Sequence, residues 1–478
     1  MLFNSYAFVL AFLPAAVAGY FLVARRSHLG ANAFLAAASL VFYAWWRVEL
    51  VALLLASAAV NFAVGRRLSR AAAAGRDARA MLFLGVAFDL GLLGYFKYAD
   101  FFIANWNTLS GAHLPLLEVA LPLGISFFTF TQVAYLVDAW KGKAAEYSPV
   151  NYLLFVTYFP HLLAGPIIHH REMMPQFADP RLKRLDWENV ARGLVLFTLG
   201  LAKKVLVADT LAPWADAGFA SAHALTLADG WITMLAYAMQ LVYDFSGYTD
   251  MALGAALMAN IRLPINFDSP YRSADIREFW RRWHITLSRF LRDYVYIPLG
   301  GNRRGEARML AAFLVTFTLG GLWHGAAWTF VAWGAIHGTA LVVVHFWRKL
   351  GRPLPRPVAI GVTALFVAAA FVVFRAPTLA DAGSVLASVA GLNGFDLHLA
   401  VAQWAGLARP ASIGERAPEL GTLAVLAAAL AIAFMPRTST ELAATVSLRG
   451  WPRYAFGGLL ACGLVFIENA SPFIYFIF

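Results

Sequence analysis

Residues 309–347, "MLAAFLVTFTLGGLWHGAAWTFVAWGAIHGTALVVVHFW", decide the fold. They contain no Asp, Glu, Lys or Arg, although basic residues flank them on both sides. One helical span needs about 20 apolar residues, so this run is long enough to cross a bilayer twice. Gly320, Gly321 and Gly325 at its midpoint allow a turn or a close helix contact. The stretch predicts a helical hairpin that places His324 deep in the membrane or near its outer face.

The whole chain has the composition of a polytopic membrane protein. Of its 478 residues, 60% are hydrophobic and 14% are charged, whereas soluble domains are about 25% charged. Because no long polar linker interrupts the apolar runs, we expect one all-α integral-membrane domain over 1–478. It divides into N-terminal spans (1–120), a central core segment (121–347) and C-terminal spans (348–478). Cys462, the single cysteine, is expected to be a small buried hydrophobe.

The formal net charge of +11 follows a topological pattern. No basic residue precedes the first apolar run, but Arg25 and Arg26 follow it, so we predict a retained span with the N-terminus outside. The excess of basic residues therefore indicates membrane topology and not nucleic-acid binding. Basic stretches predicted inside are 65–79, 141–143, 169–192, 262–308 and 348–356, and the predicted outer segments are 98–120, 211–228 and about 376–418.

Residues 150–168, "VNYLLFVTYFPHLLAGPII", do not fit a simple span. Basic, cytoplasmic-looking loops lie on both sides, and Pro160, His161, Gly165 and Pro166 oppose a regular helix. Irregular backbone at membrane depth is tolerated only where protein or a water-filled cavity covers it. The segment is predicted to be a re-entrant or broken element.

The most polar stretch, 260–308, mixes arginines with aromatic residues. Its spacing predicts one amphipathic helix over about 273–295, which begins at Ser273, and an interfacial helix that lies on the cytoplasmic face is one interpretation. The following loop, "YIPLGGNRRG" (296–305), could hold phosphate through backbone N–H groups and guanidinium forks, although it lacks the P-loop spacing. The residues that define the helix face are Arg277, Trp280, Trp283 and Leu287.

Five motifs in the same order along the chain resemble the membrane-bound O-acyltransferase family, in particular its bacterial alginate O-acetyltransferase branch, which modifies exopolysaccharides. The similarity runs from "MLFNSYAF" at the N-terminus to "SPFIYFIF" at the C-terminus and is weakest over 376–420. The motifs are "LPLGISFFTFTQVAYLVD" (121–138), "YFPHLLAGPI" (158–167), "DFSGYTDMALG" (244–254), "EFWRRWHITLSRFLRDYVYIPLGGNRRG" (278–305) and "GGLWHGAAWTFVAWGAIHG" (320–338).

The resemblance implies a fold of roughly eleven transmembrane helices, with re-entrant and interfacial helices, around a central tunnel. His324 matches the family's catalytic histidine, and His284 matches its second active-site position. Burial lowers the pKa of a histidine, so a neutral imidazole would accept the proton of a hydroxyl that attacks a thioester.

Other residues are assigned to the site by the motifs and by charge. Each has a structural alternative, namely topology for the arginines and helix packing for the membrane residues; His337 and His345 are weaker candidates. His169 and His170 predict no metal site, because no carboxylate or cysteine pattern accompanies them in the sequence. Expected donor-binding residues are Arg281, Arg282, Asn302, Arg303 and Arg304, and expected tunnel-lining residues are His161, Asp244, Ser246, Tyr248, Asp250, Trp280 and Trp323.

The leading hypothesis is a multi-pass O-acetyltransferase of a bacterial inner membrane, with acetyl-CoA as donor, no metal and an exported polysaccharide such as alginate or cellulose as acceptor. The resemblance implies a periplasmic partner of serine-hydrolase fold and other proteins of exopolysaccharide synthesis and export. Acyl transfer to peptidoglycan, teichoic acid or a lipid is the alternative. A proton-coupled transporter is a third hypothesis. Many transporters are built from internal repeats, and the absence of an evident repeat in this sequence argues against it.

Overall fold

The computed structural model describes residues 1–395, 417–447, 449–467 and 473–474. Within these ranges all regular elements are helices, as the composition predicts. In chain order the α-helices are α1 (Leu13–Ala24), α2 (His28–Ala44), α3 (Glu49–Ala73), α4 (Arg79–Leu93), α5 (Ala99–Ser110), α6 (Ile125–Trp140), α7 (Pro149–Thr157), α8 (Phe159–Leu162), α9 (His170–Ala178), α10 (Trp187–Ala202), α11 (Asp209–Ala220), α12 (Leu227–Met258), α13 (Ile276–Arg282), α14 (Ile285–Leu291), α15 (Glu306–His324), α16 (Trp328–Lys349), α17 (Arg356–Arg375), α18 (Leu379–Val389), α19 (Ala417–Ala433), α20 (Ser439–Thr445) and α21 (Pro452–Phe466).

Short π-helical and 3-10 segments join several of these helices. A π-helical turn inserts an extra residue into the hydrogen-bond ladder and is often found at functional sites. The π-helical segments are Ala7–Phe12, Gly94–Tyr98, Lys203–Ala208 and Arg292–Tyr296, and the 3-10 segments are Pro180–Lys183, Ala222–Ala224 and Pro270–Arg272.

Five helical stretches among the described residues are long and apolar enough to cross a membrane. The first contains the N-terminal run that the charge pattern predicts as a span. The predicted number of about eleven spans stays a prediction, because several apolar helices are shorter than a full crossing. The five candidate spans are Ala7–Ala24, Glu49–Ala73, Arg79–Ser110, Trp328–Lys349 and Arg356–Arg375.

The segments predicted as outer loops contain more helix than the charge pattern suggests. In the segment 98–120, helix α5 extends to Ser110 and continues the candidate span that begins at Arg79. Helix α11 occupies most of 211–228, and α18 occupies the start of 376–418, of which 396–416 lie outside the described residues. Cys462 is exposed on α21, so the prediction that it is buried is wrong.

The chain divides into two compact units. The single domain over 1–478 stays a prediction. Unit 1 comprises Met1–Thr198, Tyr248–Ile265 and Val446–Arg453, and unit 2 comprises Leu199–Gly247, Asn266–Thr445 and Tyr454–Phe478.

Unit 1 is built on a cluster of buried phenylalanines. The ring of Phe8 lies 4.7 Å from that of Phe3, 5.8 Å from that of Phe42 and 6.0 Å from that of Phe159. Such ring contacts add to the free energy gained from burial. The Phe3 and Phe8 side chains are fully buried, so the first residues of the chain are part of this core.

The predicted broken element of unit 1 is confirmed. Helix α7 ends before Tyr158, whose ψ of 110° is not helical, and α8 begins at Phe159. Pro160 has no N–H to donate to a preceding turn, but it is well accommodated in the first turn of a new helix. The break therefore falls just before the proline, and neither helix is long enough to span a bilayer.

In unit 2 the predicted hairpin of residues 309–347 is confirmed as the antiparallel pair α15 and α16. Their backbones touch directly, because a Cβ atom added at Gly321 would lie 2.2 Å from the Phe330 carbonyl oxygen. A Cβ atom at Gly334 would lie 2.2 Å from the Phe317 carbonyl oxygen. Small residues are what allows membrane helices to approach so closely.

The predicted single helix over 273–295 is wrong, because the chain forms two short helices there. Helix α13 begins after Asp275, whose carboxylate accepts from the N–H groups of Arg277 and Glu278 at 2.9 Å each. Asp275 is thus the N-cap, and Ser273 is not. Helix α13 ends at Arg282 and α14 begins at Ile285, with His284 at the break.

The interfacial interpretation of this segment does not agree with its burial. Trp280, Trp283 and Leu287 are 6%, 2% and 1% exposed. An interfacial helix would present these side chains to lipid, whereas here they belong to the interior of unit 2.

We predict that Gly321→Ala destabilises the protein by about 1–3 kcal/mol, because the added methyl group must push two packed backbones apart. Gly361→Ala is the matched control, since Gly361 lies in α17 and a Cβ atom there would meet nothing within 4 Å. Alanine has the higher helix propensity, so the control should be neutral or slightly stabilising. Thermal unfolding in detergent measures both; equal midpoints for the two variants would show that the contact at Gly321 is not tight.

Candidate active site

His324 is the last residue of α15 and is 4% exposed. The helix ends there because Gly325 adopts an extended backbone, with φ −162°, and leads through Ala327 into α16. A side chain at position 325 would meet the Phe330 ring, which lies 2.0 Å from an added Cβ atom. The short connection therefore holds the imidazole at the end of the hairpin where α15 and α16 are joined.

His284 occupies the break between α13 and α14 in a left-handed conformation, with φ 44° and ψ 52°. Residues other than glycine rarely adopt it, and positions that do so are common in functional sites. Asn266 holds the break: its backbone oxygen accepts from Ile285 N at 3.0 Å, and its Oδ1 accepts from Thr286 N at 3.1 Å and Thr286 Oγ1 at 2.8 Å. A residue 18 positions earlier thus caps α14 and fixes the direction of His284.

The two histidines are neighbours in an aromatic pocket of unit 2. Their ring centroids are 6.3 Å apart, which is too far for a direct hydrogen bond between the rings. The Trp323 ring lies 4.9 Å from that of His324 and 6.1 Å from that of His284. Phe374 and Trp333 each lie 5.2 Å from His324. The structure therefore brings together the two residues that the motifs assign to catalysis.

His284 lies outside the five candidate spans and is fully buried. Burial lowers its pKa to about 3, because the low dielectric disfavours the imidazolium. The ring is therefore neutral at physiological pH. Phe245, whose ring lies 4.8 Å away, forms part of its apolar surroundings.

A third histidine, His337, is closer to this pocket than the sequence suggested. It is fully buried, and its ring lies 4.7 Å from that of Trp333. Trp280 Nε1 donates to His337 Nδ1 at 3.2 Å, so in the neutral ring the proton is on Nε2. The i to i+4 spacing from Trp333 to His337 on one helix was the available signal. His345, in contrast, pairs with Glu306 at 2.5 Å outside the pocket.

The arginines expected to bind the donor differ in their availability. Arg282 forms ion pairs with Glu278 and Asp268, each at 3.2 Å, and these connect α13 to the preceding loop. Its guanidinium is therefore already engaged in holding the break near His284. Arg281 is exposed and directly precedes Arg282 on the same helix.

An exposed loop after the π-helical segment Arg292–Tyr296 contains Asn302, Arg303 and Arg304. Gly300 and Gly301 have φ values of 121° and 50°, so the turn requires glycine there. The loop thus presents two cations to solvent on a defined backbone, as a phosphate-binding surface would.

Asp244 takes part in a buried ion cluster that sequence reasoning missed. Lys204 Nζ donates to Asp244 Oδ1 at 2.6 Å and to Asp209 Oδ1 at 2.8 Å. Ile474 N donates to the other Asp244 oxygen at 2.9 Å. A lysine inside an apolar helix with an aspartate five residues later was the signal in the sequence. The partners of Asp244 give it a structural role in unit 2, and Ser246 is buried nearby on the same helix.

The remaining predicted tunnel residues belong to unit 1. Tyr248 stacks on Phe3, with centroids 4.8 Å apart, and Asp250, two residues further along the helix, is buried. His161 Nε2 is hydrogen-bonded to the Phe155 carbonyl oxygen at 2.9 Å. Their assignment to a tunnel stays a prediction.

Contrary to the sequence pattern, carboxylates do lie near His169 and His170. Asp138 Oδ2 lies 3.7 Å from His169, and Glu146 Oε2 lies 3.6 Å from His170. Both come from an earlier part of the chain. Among the described residues, no group of three or more such side chains is arranged to hold a metal ion.

Comparison with known proteins agrees with the motifs. The family model of the membrane-bound O-acyltransferases matches residues 82–379, more than half of the chain. A peptidoglycan O-acetyltransferase of Helicobacter pylori is 44% identical over 431 residues, which cover 84% of this chain and 82% of the relative. A "probable alginate O-acetylase" of Azotobacter vinelandii is 42% identical over 385 residues (79% and 76%), and one of Pseudomonas syringae is 37% identical over the full length of both chains.

The fold and these relatives define a helical membrane enzyme that transfers acyl groups to oxygen. The chain belongs to the membrane-bound O-acyltransferase family, as the five motifs predicted. The family match, residues 82–379, includes His284, His324 and the aromatic residues described in ring contact with them, from Phe245 to Phe374.

We predict that His284→Gly and His284→Ala both lose acyl transfer but differ in stability. Glycine adopts a φ of 44° without strain, whereas a Cβ atom costs about 1 kcal/mol or more there. The glycine variant should therefore unfold at the higher temperature in detergent. If either variant kept normal transfer, His284 would be only a structural residue.

Proposed function

We propose that the protein transfers acetyl groups from acetyl-CoA for the O-acetylation of an exported polysaccharide, by way of a periplasmic partner. The observation that carries this proposal is the buried pair of His284 and His324, 6.3 Å apart, in a chain whose relatives are named for O-acetylation of glycans. An imidazole in an apolar pocket is suited to proton transfer and costly to keep for structure alone.

His324 would act as the general base. As its ring takes the proton of the acceptor hydroxyl, the oxygen attacks the thioester carbonyl and a new C–O bond forms. The C–S bond then breaks, and the proton passes from the imidazolium to the leaving thiolate. The ring returns to its neutral form, so the step needs no metal and no redox partner.

His284 would position the reacting groups without titrating. Its neutral ring offers one donor and one acceptor nitrogen, which suits a hydrogen bond to the acceptor hydroxyl or to the developing oxyanion. Trp323, in ring contact with both histidines, would exclude water that could hydrolyse the thioester.

The two substrates would reach this pocket from opposite faces of a bacterial inner membrane. We infer a bundle of roughly eleven spans around a tunnel, with the N-terminus in the periplasm. The donor is made in the cytoplasm, and the basic segment 262–308 would face it. The acceptor would be reached from the outer face, since exported polymers are completed there.

A periplasmic protein of serine-hydrolase fold would supply the hydroxyl that accepts the acetyl group at this site, and it would then pass the group to a hydroxyl of the polymer. The resemblance of the motifs to the alginate O-acetyltransferase branch supports such a partner. The alginate O-acetylases support an exopolysaccharide as acceptor. The Helicobacter relative, at 44% identity, supports peptidoglycan as the second candidate.

We predict that His324→Gln and His324→Ala abolish acetylation, with a loss of at least about 100-fold, because each removes the general base. Cells that lack the protein would be complemented with each variant, and the O-acetyl content of extracellular polysaccharide and of peptidoglycan measured separately. The polymer whose O-acetyl content the wild-type protein restores is the acceptor.

Purified protein in liposomes with radiolabelled acetyl-CoA, with and without the periplasmic partner, tests the donor and the hand-over.

His345→Gln is the matched control, because His345 lies in the same hairpin but outside the pocket. Near-normal acetylation by a folded His324 variant would refute the assignment. Full-rate acetylation of free polymer without any partner would refute the hand-over and leave the donor step intact.

We predict that Arg303→Gln with Arg304→Gln raises the KM for acetyl-CoA by about five- to tenfold, since exposed arginines contribute modest attraction to phosphate groups. The kcat should change little. Arg70→Gln with Arg76→Gln removes the same charge from another exposed basic segment and should leave the KM unchanged. An unchanged KM in the loop variant would mean that Arg303 and Arg304 only set topology.

A further inference from the structure

Unit 1 contains a crevice of about 880 Å³ beside the first candidate span. We name it the α1–α10 crevice, because its walls are α1 with the preceding π-helical segment and the first half of α10. Its volume lies within the range of about 300–1,000 Å³ that is typical of ligand pockets. None of the histidines proposed for acyl transfer lines it.

The walls of the crevice are apolar and open to the side. Leu22 on α1 and Leu194 on α10 line it and are 59% and 44% exposed. Val17 and Ala18 continue the α1 wall along the candidate span. A long hydrocarbon chain that lies along this wall would cover apolar surface that a small polar ligand would leave exposed.

One end of the crevice is strongly basic. The charged lining residues there come from two separate parts of the chain and include no carboxylate among the residues described around the crevice. Asp179, which pairs with Arg181 at 2.8 Å, is not part of the lining. The basic lining residues are Arg25, His28, Arg181, Lys183 and Arg184.

The basic end is preformed. Lys183 is 6% exposed, and its Nζ donates to the His28 carbonyl oxygen at 3.0 Å, which ties the 3-10 segment to the start of α2. Trp187 lines the same end and is 73% exposed, as tryptophans at a membrane interface commonly are. The charge pattern places both basic segments on the same, cytoplasmic side, so the cations lie at headgroup level.

We propose that the α1–α10 crevice is a binding site for an anionic phospholipid. The phosphate would lie against Arg25 and Arg184, and one acyl chain would follow the α1 wall past Ala18. Basic pockets between membrane helices on the cytoplasmic side are suited to anionic headgroups. Acetyl-CoA shares the phosphate chemistry but has no long hydrocarbon chain to cover the apolar wall, which is why we assign the crevice to lipid.

The test is native mass spectrometry of the full chain in detergent, titrated with phosphatidylglycerol or phosphatidylcholine. The wild type should bind one phosphatidylglycerol with clear preference over phosphatidylcholine. Arg25→Gln with Arg184→Gln should weaken phosphatidylglycerol binding by roughly 10- to 30-fold, since each basic residue near an anionic headgroup contributes about fivefold. Arg26→Gln with Arg171→Gln is the matched control, because these exposed arginines flank the same segments but do not line the crevice.

A second variant tests the acyl-chain wall with all arginines in place. Ala18 is exposed on α1, so Ala18→Trp fills the groove without entering a packed core, and it should also weaken phosphatidylglycerol binding. Equal binding of the two lipids by the wild type, or equal losses in the Arg25/Arg184 and Arg26/Arg171 variants, would overturn the proposal. Displacement of the lipid by acetyl-CoA would overturn it in favour of a donor site.

Discussion

The direct backbone contact between α15 and α16 is the constraint on which the proposed site depends. At Gly321 and Gly334 an added Cβ atom would lie 2.2 Å from a carbonyl oxygen of the opposite helix. Two helices can approach so closely only where both surfaces lack side chains, and in a membrane such packing replaces the hydrophobic driving force. The contact fixes the end of the hairpin where α15 and α16 are joined. It thereby fixes the position of His324 against Trp333 and Phe374.

A second constraint acts on His284 from outside its own helices. Hydrogen bonds from Ile285 and Thr286 to Asn266 satisfy the first N–H groups of α14, which would otherwise be unpaired in a buried place. They compensate for the cost of a left-handed residue between two helices. The positions of the two histidines thus depend on two independent features of unit 2. One is the backbone contact at the glycines of α15 and α16, and the other is the cap that Asn266 provides for α14.

The sequence predicted those features that depend on local composition. The hairpin followed from an uncharged run with glycines at its midpoint, and the break before Pro160 followed from a missing N–H. The break at His284 was not predictable in the same way, because the amphipathic pattern of residues 273–295 continues through it and the cap is supplied by Asn266. Likewise the sequence shows Lys204 in an apolar run five residues before Asp209, but only the fold shows that Asp244 is its second partner. Patterns in one dimension do not reveal partners that come from elsewhere in the chain.

The distribution of charge in unit 2 separates structural ions from the proposed chemistry. Lys204, Asp209 and Asp244 neutralise much of one another's charge where they are buried, and Arg282 is held by Glu278 and Asp268. Around the histidine pair, in contrast, the described ring contacts are aromatic: Phe245, Trp323, Trp333 and Phe374. In such surroundings an imidazolium ion is poorly solvated. An imidazole therefore takes up a proton readily only when the proton donor and a developing negative charge arrive together. In the proposed mechanism, this apolar pocket would couple proton abstraction by His324 to the attack on the thioester.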